Sequence, residues 1–125
     1  MILDTHALLW AVSAPERLSP AQVAIVEDPT TELLVSTISI AEIEIKRAIG
    51  KLQMTNTCED LRESVAAEWL PLLPAHAMAL RSLPLLHRDP FDRLLIAQAI
   101  AESKTFVTSD QAIGQYAAAG LQIAL

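Results

Sequence analysis

Residues 90–110 of the chain read PFDRLLIAQAIAESKTFVTSD, and this stretch indicates the fold class. Pro90–Ser103 has apolar residues at helical spacing, and Asp89 followed by Pro90 is typical of a helix start. Thr105–Thr108 is short and rich in β-branched and aromatic residues, which predicts a strand. A helix that leads directly into such a strand is typical of an α/β protein.

The same alternation extends over the rest of the chain. It predicts further strands at Ile2-Leu3, Leu33–Ser36 and Leu121–Leu125, with Trp69–Leu73 as a candidate edge strand. It predicts further helices at Thr5–Val12, Pro20–Glu27, Ser39–Ile49, Cys58–Glu68, Ala75–Leu83 and Asp110–Ala118. Strands that alternate with helices pair in parallel, so we predict a three-layer α/β/α sandwich with a central parallel sheet. Periodicity does not give the strand order.

Length and composition predict one cytoplasmic domain that spans residues 1–125. The chain has 125 residues, of which 52% are hydrophobic, enough for one core. No apolar run approaches the roughly 20 residues of a membrane span, and the start at Met1-Ile2-Leu3-Asp4 lacks the features of a signal peptide. Cys58 is the only cysteine, so no internal disulfide can form and a reducing compartment is expected.

The charge balance argues against an ordinary nucleic-acid binder. The formal net charge is −6 and the pI is about 4.9, whereas such proteins carry a basic patch and a high pI. The objection weakens if clustered acids bind metal, because the local field then changes sign. Lys46, Arg47 and Lys51 fall within one helical region, for which a solvated helix face is expected.

Four acids, Asp4, Glu42, Asp92 and Asp110, stand where predicted strands lead into predicted helices. Such positions meet at one edge of a parallel sheet, where open α/β folds bind their ligands. Carboxylates in one crevice repel each other, and a buried unpaired carboxylate is costly. Mg²⁺ or Mn²⁺ would relieve both costs because these cations prefer oxygen ligands. The pattern therefore predicts a metal-dependent enzyme that acts on phosphate.

Helix capping is the alternative role for each acid. Asp4 could be the N-cap of the first helix, and Ser39 with Glu42 fits a capping box. Glu42 could also form a surface pair with Lys46, four residues on. Glu44 points elsewhere and is expected to face solvent.

Capping and site roles can also be divided among the acids at positions 89, 92 and 110. Asp89 fits the N-cap of its helix, which leaves Asp92 for a role in the site. Asp110 could cap the helix that follows it, or Ser109 could cap instead. In either case both residues place oxygen atoms at the edge of the sheet.

Several familiar catalytic signatures are absent. The chain has no Gly-rich phosphate loop, no dinucleotide fingerprint and no Gly-x-Ser-x-Gly elbow. His6, His76 and His87 do not have the spacing of a zinc site. We assign none of them a catalytic role and expect His76 on a helix surface, although His6 or His87 could lie near the acids.

Four segments resemble the PIN-domain family, and they follow the family order over nearly the whole chain. They are DTH at 4–6, EI at 42–43, HRDPFDR at 87–93 and TSD at 108–110. HRDPFDR, continued by LLIAQA at 94–99, is the most specific, and the stretch 39–52 adds to it. Within that family the chain resembles the VapC-like toxins of type II toxin–antitoxin pairs, with a shorter first strand than is usual.

The resemblance implies a Mg²⁺- or Mn²⁺-dependent endoribonuclease that acts as a toxin, with tRNA as the expected substrate. The family acids map onto Asp4, Glu42, Asp92 and Asp110, with Asp89 as an accessory residue and Thr5 and Ser109 beside the metal. It also implies a homodimer and a cognate antitoxin, which would place a C-terminal segment with a basic side chain across the active site.

The expected chemistry is hydrolysis of an RNA phosphodiester. Direct metal ligands would be Asp4 and Asp92, with Asp110 binding directly or through water and Glu42 binding a second cation or orienting the water. Bound cations would acidify the attacking water and offset charge on the phosphoryl oxygens. Arg88 or Arg93 could contact the RNA backbone.

Two other functions are compatible with the acids. A phospho-acceptor signalling domain also has a Mg²⁺-binding acidic pocket, but here Leu33–Ser36 ends without Asp and no Lys follows Val107-Thr108. A catalytically silent PIN-like binding module would keep the fold for partner contact. The presence of all four acids argues against that module.

Overall fold

The protein, described here over residues 1–125 as a computed structural model, has five strands and six α-helices. The strands are β1 (Ile2–Leu3), β2 (Leu34–Ser36), β3 (Glu68–Leu70), β4 (Thr105–Val107) and β5 (Gln122–Ala124). The helices are α1 (Thr5–Ser13), α2 (Pro20–Glu27), α3 (Thr37–Ala48), α4 (Cys58–Ser64), α5 (Pro74–Ala79) and α6 (Pro90–Ala101). Three 3₁₀ segments lie at Pro15–Arg17, Leu80–Ser82 and Gln111–Ala119. None of the helices is both long and apolar enough to cross a membrane.

All five strands pair in parallel, in the order β3-β2-β1-β4-β5. β1 lies at the centre, where Leu3 pairs with Val35 on one side and with Val107 on the other. The three central strands therefore end at the same level. The turns that follow them bring their polar residues to one edge of the sheet, where α/β folds bind ligands.

Alternate residues of the strands point to opposite faces of the sheet and contribute to two separate cores. Ile2, Leu34 and Phe106 belong to the core beneath α6 and the 3₁₀ segment at 111–119. Their neighbours along each strand, Leu3, Val35 and Val107, belong to the core beneath α1 and α4. The predicted three-layer α/β/α sandwich with a central parallel sheet is confirmed.

The start of α3 differs from the prediction. The helix begins at Thr37 with Ser36 as its N-cap, whose Oγ accepts a 3.0 Å hydrogen bond from the Ile38 amide. The predicted capping box between Ser39 and Glu42 is therefore wrong. Ser39 is instead fully buried, and its Oγ accepts a 3.0 Å hydrogen bond from the Thr5 hydroxyl of α1. A contact between distant parts of the chain decides the role of this serine.

Two other predicted helices differ in extent or type. α4 ends at Ser64 rather than at Glu68, because Ala66 takes a positive φ of 52° and the chain then enters β3. The predicted helix at 110–118 is a 3₁₀ segment, Gln111–Ala119. The edge position predicted for residues 69–73 is confirmed, since β3 pairs only with β2.

His76 is buried, which corrects its expected surface position. It is 1% exposed, and its Nε2 lies 2.6 Å from Glu102 Oε1. Its Nδ1 accepts hydrogen bonds from the Leu73 amide at 3.0 Å and from Gln98 Nε2 at 3.3 Å. His76 thus joins α5 to α6 through partners that helical periodicity does not reveal.

Candidate active site

The fold positions the four predicted acids around the carboxyl edge of the central strands. Asp4 follows β1 directly, Glu42 lies on α3 after β2, Asp92 lies in the first turn of α6, and Asp110 follows β4. The negative charges of Asp4 and Glu42 both act on Asp92. Asp4 and Asp110 line one cleft. The structure therefore brings all four acids into one neighbourhood.

Asp4 has the capping role that was considered for it. Its Oδ1 accepts a 2.5 Å hydrogen bond from the Ala7 amide, so it is the N-cap of α1. Burial raises the pKa of Asp4 and the nearby charge of Glu42 adds to the increase, while hydrogen bonds from Thr108 and Ala7 oppose it. The cap uses one carboxylate oxygen and does not remove Asp4 from the acidic group.

Glu42 forms the pair with Lys46 that was considered, but the carboxylate is buried rather than on the surface. Only 2% of the residue is exposed. Its Oε2 accepts a 2.6 Å hydrogen bond from Lys46 Nζ, but its Oε1 has no hydrogen-bond partner. A buried carboxylate oxygen without a partner is costly and is expected to have a ligand. Glu44, as predicted, faces solvent.

Asp89 and Asp92, near the start of α6, have different surroundings. Asp89 Oδ1 accepts hydrogen bonds from the amides of Phe91 at 2.8 Å and Asp92 at 3.4 Å, which confirms it as the N-cap of α6. The Asp92 carboxylate takes no part in the cap. Burial, followed by the charges of Asp89, Glu42 and Asp4, raises the pKa of Asp92 to about 7, although His87 acts in the opposite direction.

His87 is a site residue to which the sequence analysis gave no role. Its Nε2 lies 3.1 Å from Asp110 Oδ2 and 3.4 Å from Asp92 Oδ2. Its Nδ1 accepts a 3.1 Å hydrogen bond from the Asp89 amide. Because Nδ1 accepts, Nε2 carries the hydrogen and donates it to Asp110. His87 therefore orients Asp110 and lies beside Asp92, and this tautomer does not offer Nε2 to a metal.

Hydroxyl and amide groups behind the acids form a second layer that the sequence showed only in part. Thr108 donates to Asp4, and its Oγ1 accepts a 3.1 Å hydrogen bond from the Asp110 amide. Ser109 Oγ donates to Gln22 Oε1 at 3.2 Å, and Gln22 Nε2 donates to the Thr108 carbonyl at 2.9 Å. Thr5, predicted beside the metal, is buried and donates to Ser39.

The two arginines considered for RNA contact have different surroundings. Arg88 is exposed and forms neither a hydrogen bond nor an ion pair. The Arg93 guanidinium donates to the carbonyls of Pro84 at 2.9 Å and Leu83 at 3.4 Å and to the Tyr116 hydroxyl at 3.3 Å. Arg93 thus fixes the loop that precedes α6, while Arg88 is available to a ligand.

The donor set fits a hard divalent cation. Oxygen atoms of carboxylates are the ligands that Mg²⁺ and Mn²⁺ prefer. Asp4 and Glu42 are buried, Asp92 is partly buried, and the charges of these acids repel one another. Carboxylate oxygen atoms of Asp92 and Asp110 lie within 4.8 Å of each other. A bound cation would offset this repulsion and give Glu42 Oε1 the partner that it lacks.

Comparison with known proteins identifies the family. The family model of the PIN domain matches residues 1–119. The chain belongs to the PIN-domain family. Ribonuclease VapC22 of Mycobacterium tuberculosis (strain ATCC 25618 / H37Rv) is 33% identical over 116 residues, which make up 89% of this chain and 87% of that relative. The resemblance to VapC-like PIN-domain proteins that the motifs indicated is therefore confirmed.

Solved structures show the same PIN-domain fold. VapBC2 from Rickettsia felis, bound to a DNA fragment from its promoter, matches with a TM-score of 0.67 at 16% identity over 98% of this chain and 96% of that chain. FitAcB from Neisseria gonorrhoeae matches with a TM-score of 0.61 at 21% identity over 99% and 96%. At these identities the likeness shows a shared architecture.

Proposed function

We propose that the protein is a metal-dependent endoribonuclease that acts as the toxin of a type II toxin–antitoxin pair. The observation that carries the proposal is the buried acidic group at the carboxyl edge of a PIN-domain sheet. In that group Glu42 Oε1 has no partner and the pKa of Asp92 is raised to about 7. A relative that is 33% identical is named as a ribonuclease, which supports a nuclease.

The residues that would hold Mg²⁺ or Mn²⁺ are the four acids Asp4, Glu42, Asp92 and Asp110. When bound, such a cation makes water more acidic and offsets negative charge on phosphoryl oxygens. The burial of Asp4 and Glu42 shields their oxygens from bulk solvent and leaves them to a ligand inside the cleft. Asp89 stays outside this set because its Oδ1 is committed to the start of α6.

The chain's own residues prepare the carboxylates for that role. His87 donates to Asp110 and so limits the rotation of that side chain, while its Nε2 also lies 3.4 Å from Asp92 Oδ2. Lys46 binds Glu42 Oε2, which directs the free Oε1 away from the ion pair. Arg88, exposed beside this group, supplies a positive charge for a backbone phosphate of RNA.

The proposed partners are a cognate antitoxin and a second copy of the chain. The VapBC2 and FitAcB structures with the same fold are toxin–antitoxin complexes, which supports an antitoxin. Ile45 and Ile49 are exposed apolar side chains one turn apart at the C-terminal end of α3. Leu72 and Leu73 are exposed near its start, where the Leu72 amide donates to Thr37 Oγ1. We propose that exposed apolar side chains along α3 contribute to a homodimer interface. We place the protein in the cytoplasm and propose tRNA as its substrate.

The test is incubation of antitoxin-free protein with total small RNA, with and without Mg²⁺ or Mn²⁺, beside the Asp92→Asn variant. Discrete fragments that need metal and disappear in the variant are expected. Because water rather than the ribose 2′-hydroxyl is the proposed nucleophile, the fragments should carry no 2′,3′-cyclic phosphate. Fragments that persist in EDTA and in Asp92→Asn would contradict the proposal. Absence of cleavage by folded, metal-loaded protein would favour the silent binding module.

A further inference from the structure

A second groove lies beside the acidic cleft, between α1 and the segment that follows α3. It is lined by three cationic side chains, Arg17, Lys46 and Lys51, and by no Asp or Glu. The lining of the groove is therefore positively charged, whereas the chain as a whole has a formal net charge of −6. Its charge is complementary to a polyanion.

The groove adjoins the acidic cleft. His6 and Trp10 line both of them, and the cleft also contains Asp4 and Asp110. His6 and Trp10 are four residues apart on α1, so both face the same side of the helix. Trp10 follows Asp4 by six positions, which corresponds to roughly 9 Å along the helix axis. A ligand in the groove would therefore continue directly towards the acids.

Trp10 provides a partly exposed aromatic surface at this junction. The ring of His6 lies 5.8 Å from it between centroids, at an interplanar angle of 47°. The guanidinium of Arg17 lies 5.4 Å over the indole. Arg17 and Lys51 form no ion pair, whereas Lys46 is bound to Glu42. The groove thus combines an aromatic platform with two cations that have no acidic partner.

We propose that this groove, named here the Trp10 groove, binds the single-stranded RNA segment that adjoins the scissile phosphate. A nucleobase stacks on Trp10, and the charges of Arg17 and Lys51 lie along the phosphates. Aromatic rings within a basic groove are typical of single-strand binding, because every base offers a face for stacking. A base must be unpaired to stack in this way. The inference rests on the proposed ribonuclease function and assigns Trp10, Arg17 and Lys51 to the binding of its substrate.

An acidic peptide is the other polyanion that this charge could attract. The aromatic surface of Trp10 favours RNA, because every nucleobase offers a face for stacking, whereas repulsion by Asp4 and Asp110 acts on phosphates and carboxylates alike. An RNA strand must reach those acids if its phosphate is to be hydrolysed. The groove then guides the strand into the cleft.

The two tryptophans of the chain allow a direct test with an internal control. Trp69, at the sheet edge, also has an arginine over its ring, with Arg62 at 5.5 Å. It does not line the Trp10 groove. The experiment uses Asp92→Asn protein, because this substitution prevents cleavage, in a buffer that contains Mg²⁺. A single-stranded RNA of mixed sequence is titrated into the protein. Trp69→Phe leaves Trp10 as the only tryptophan, and Trp10→Phe leaves Trp69.

Saturable quenching is expected in the Trp69→Phe protein and not in the Trp10→Phe protein. Trp10→Ala should weaken RNA binding about 5- to 150-fold, the range for loss of one base stack. Trp69→Ala is the matched control and should leave affinity within about twofold, since it removes no base stack. Arg17→Gln with Lys51→Gln should reduce the slope of log affinity against log salt by about 1.4.

The inference would be overturned if Trp10→Ala binds RNA as tightly as the parent protein and if RNA does not quench Trp10 in the Trp69→Phe protein. Quenching by an acidic peptide but not by RNA would also overturn it and assign the groove to a protein partner. If the wild type cleaves RNA while Trp10 does not respond, the groove assignment fails and the proposed function stands. If RNA quenches Trp10 but the wild type never cleaves, the groove assignment stands and the proposed function fails.

Discussion

His87 Nε2 lies 3.1 Å from Asp110 Oδ2 and so links the loop before α6 to the turn after β4. The Asp89 amide fixes the histidine from the other side by donating to Nδ1. The N-cap of α6 and the acid beyond β4 are therefore joined through one imidazole. This link explains how acids on separate elements keep a common geometry.

Loss of His87 should weaken metal binding without removing a metal ligand. His87→Ala is expected to lower the affinity for Mn²⁺ about 10- to 100-fold, the usual cost of losing a group that orients ligands. His87→Gln can still donate a hydrogen bond and should recover part of the affinity. Titration of Mn²⁺ followed by electron paramagnetic resonance measures both. A ¹⁴N coupling to Mn²⁺ that disappears in His87→Ala would contradict the orienting role and make His87 a ligand.

The stability of the metal-free protein should fall as pH rises from about 4 to about 7. An unfolded Asp titrates near pH 3.9, whereas the folded protein holds the Asp92 proton to about pH 7. The folded state thus binds more protons in that window, and the free energy of unfolding decreases with pH. Asp92→Asn should remove part of this dependence and be the more stable protein at pH 8. Parallel pH profiles of Tm for the two proteins would rule out a raised Asp92 pKa.

Metal binding should depend on pH for the same reason. Asp92 must release its proton to act as a ligand, so Mn²⁺ affinity is expected to fall below about pH 7. Calorimetry at pH 7 in two buffers with different ionisation enthalpies measures the protons released. Binding without proton release would indicate that Asp92 is already ionised or does not bind the metal.

Arg93 and Arg88 should respond differently to substitution by alanine. Arg93→Ala removes the hydrogen bonds to the carbonyls of Leu83 and Pro84 and should lower the free energy of unfolding by about 1–3 kcal/mol. Arg88→Ala should leave unfolding unchanged and reduce the salt slope of RNA binding by about 0.7, the value for one phosphate contact. Denaturant unfolding and RNA titration at several salt concentrations check the pair. If Arg93→Ala is as stable as the wild type and loses as much RNA affinity as Arg88→Ala, the structural role assigned to Arg93 would be contradicted.

A charge on the exposed face of α3 should disrupt the proposed homodimer. Ile45 is 48% exposed, so Ile45→Glu is not expected to unfold the protein, but it would place a charge in the apolar interface. Light scattering after size exclusion should show a dimer for the wild type and a monomer for the variant. Met78→Glu, at a residue that is 69% exposed on α5, tests how far the interface extends. A wild-type monomer would contradict the dimer.

The sequence predicted the features that depend on local pattern. Alternating strand and helix signals gave the parallel sheet, and the positions of the acids after the strands gave their common edge. Asp89 as the N-cap of α6 was predictable because an Asp-Pro pair signals a helix start from its own residues. The strand order was not, since it depends on which crossovers pack best.

Features that depend on distant contacts could not be predicted. The residues Ser36, Thr37 and Ser39 all offer N-cap chemistry for α3, and the contact of Ser39 with Thr5 on α1 decides among them. His76 is buried because Glu102, 26 residues away, meets its imidazole. His87 likewise depends on Asp110, 23 residues further on. Hydrophobic periodicity carries no information on such polar partners.

The central claim is that the acidic group binds the cation that RNA cleavage needs. It is tested most directly by measuring Mn²⁺ occupancy and RNA cleavage rate on the same antitoxin-free preparation. We expect the rate to rise in proportion to occupancy, and both to be lost in Asp92→Asn while its fold is retained. RNA cleavage by metal-free protein, or full Mn²⁺ occupancy without cleavage of any small RNA, would contradict the claim.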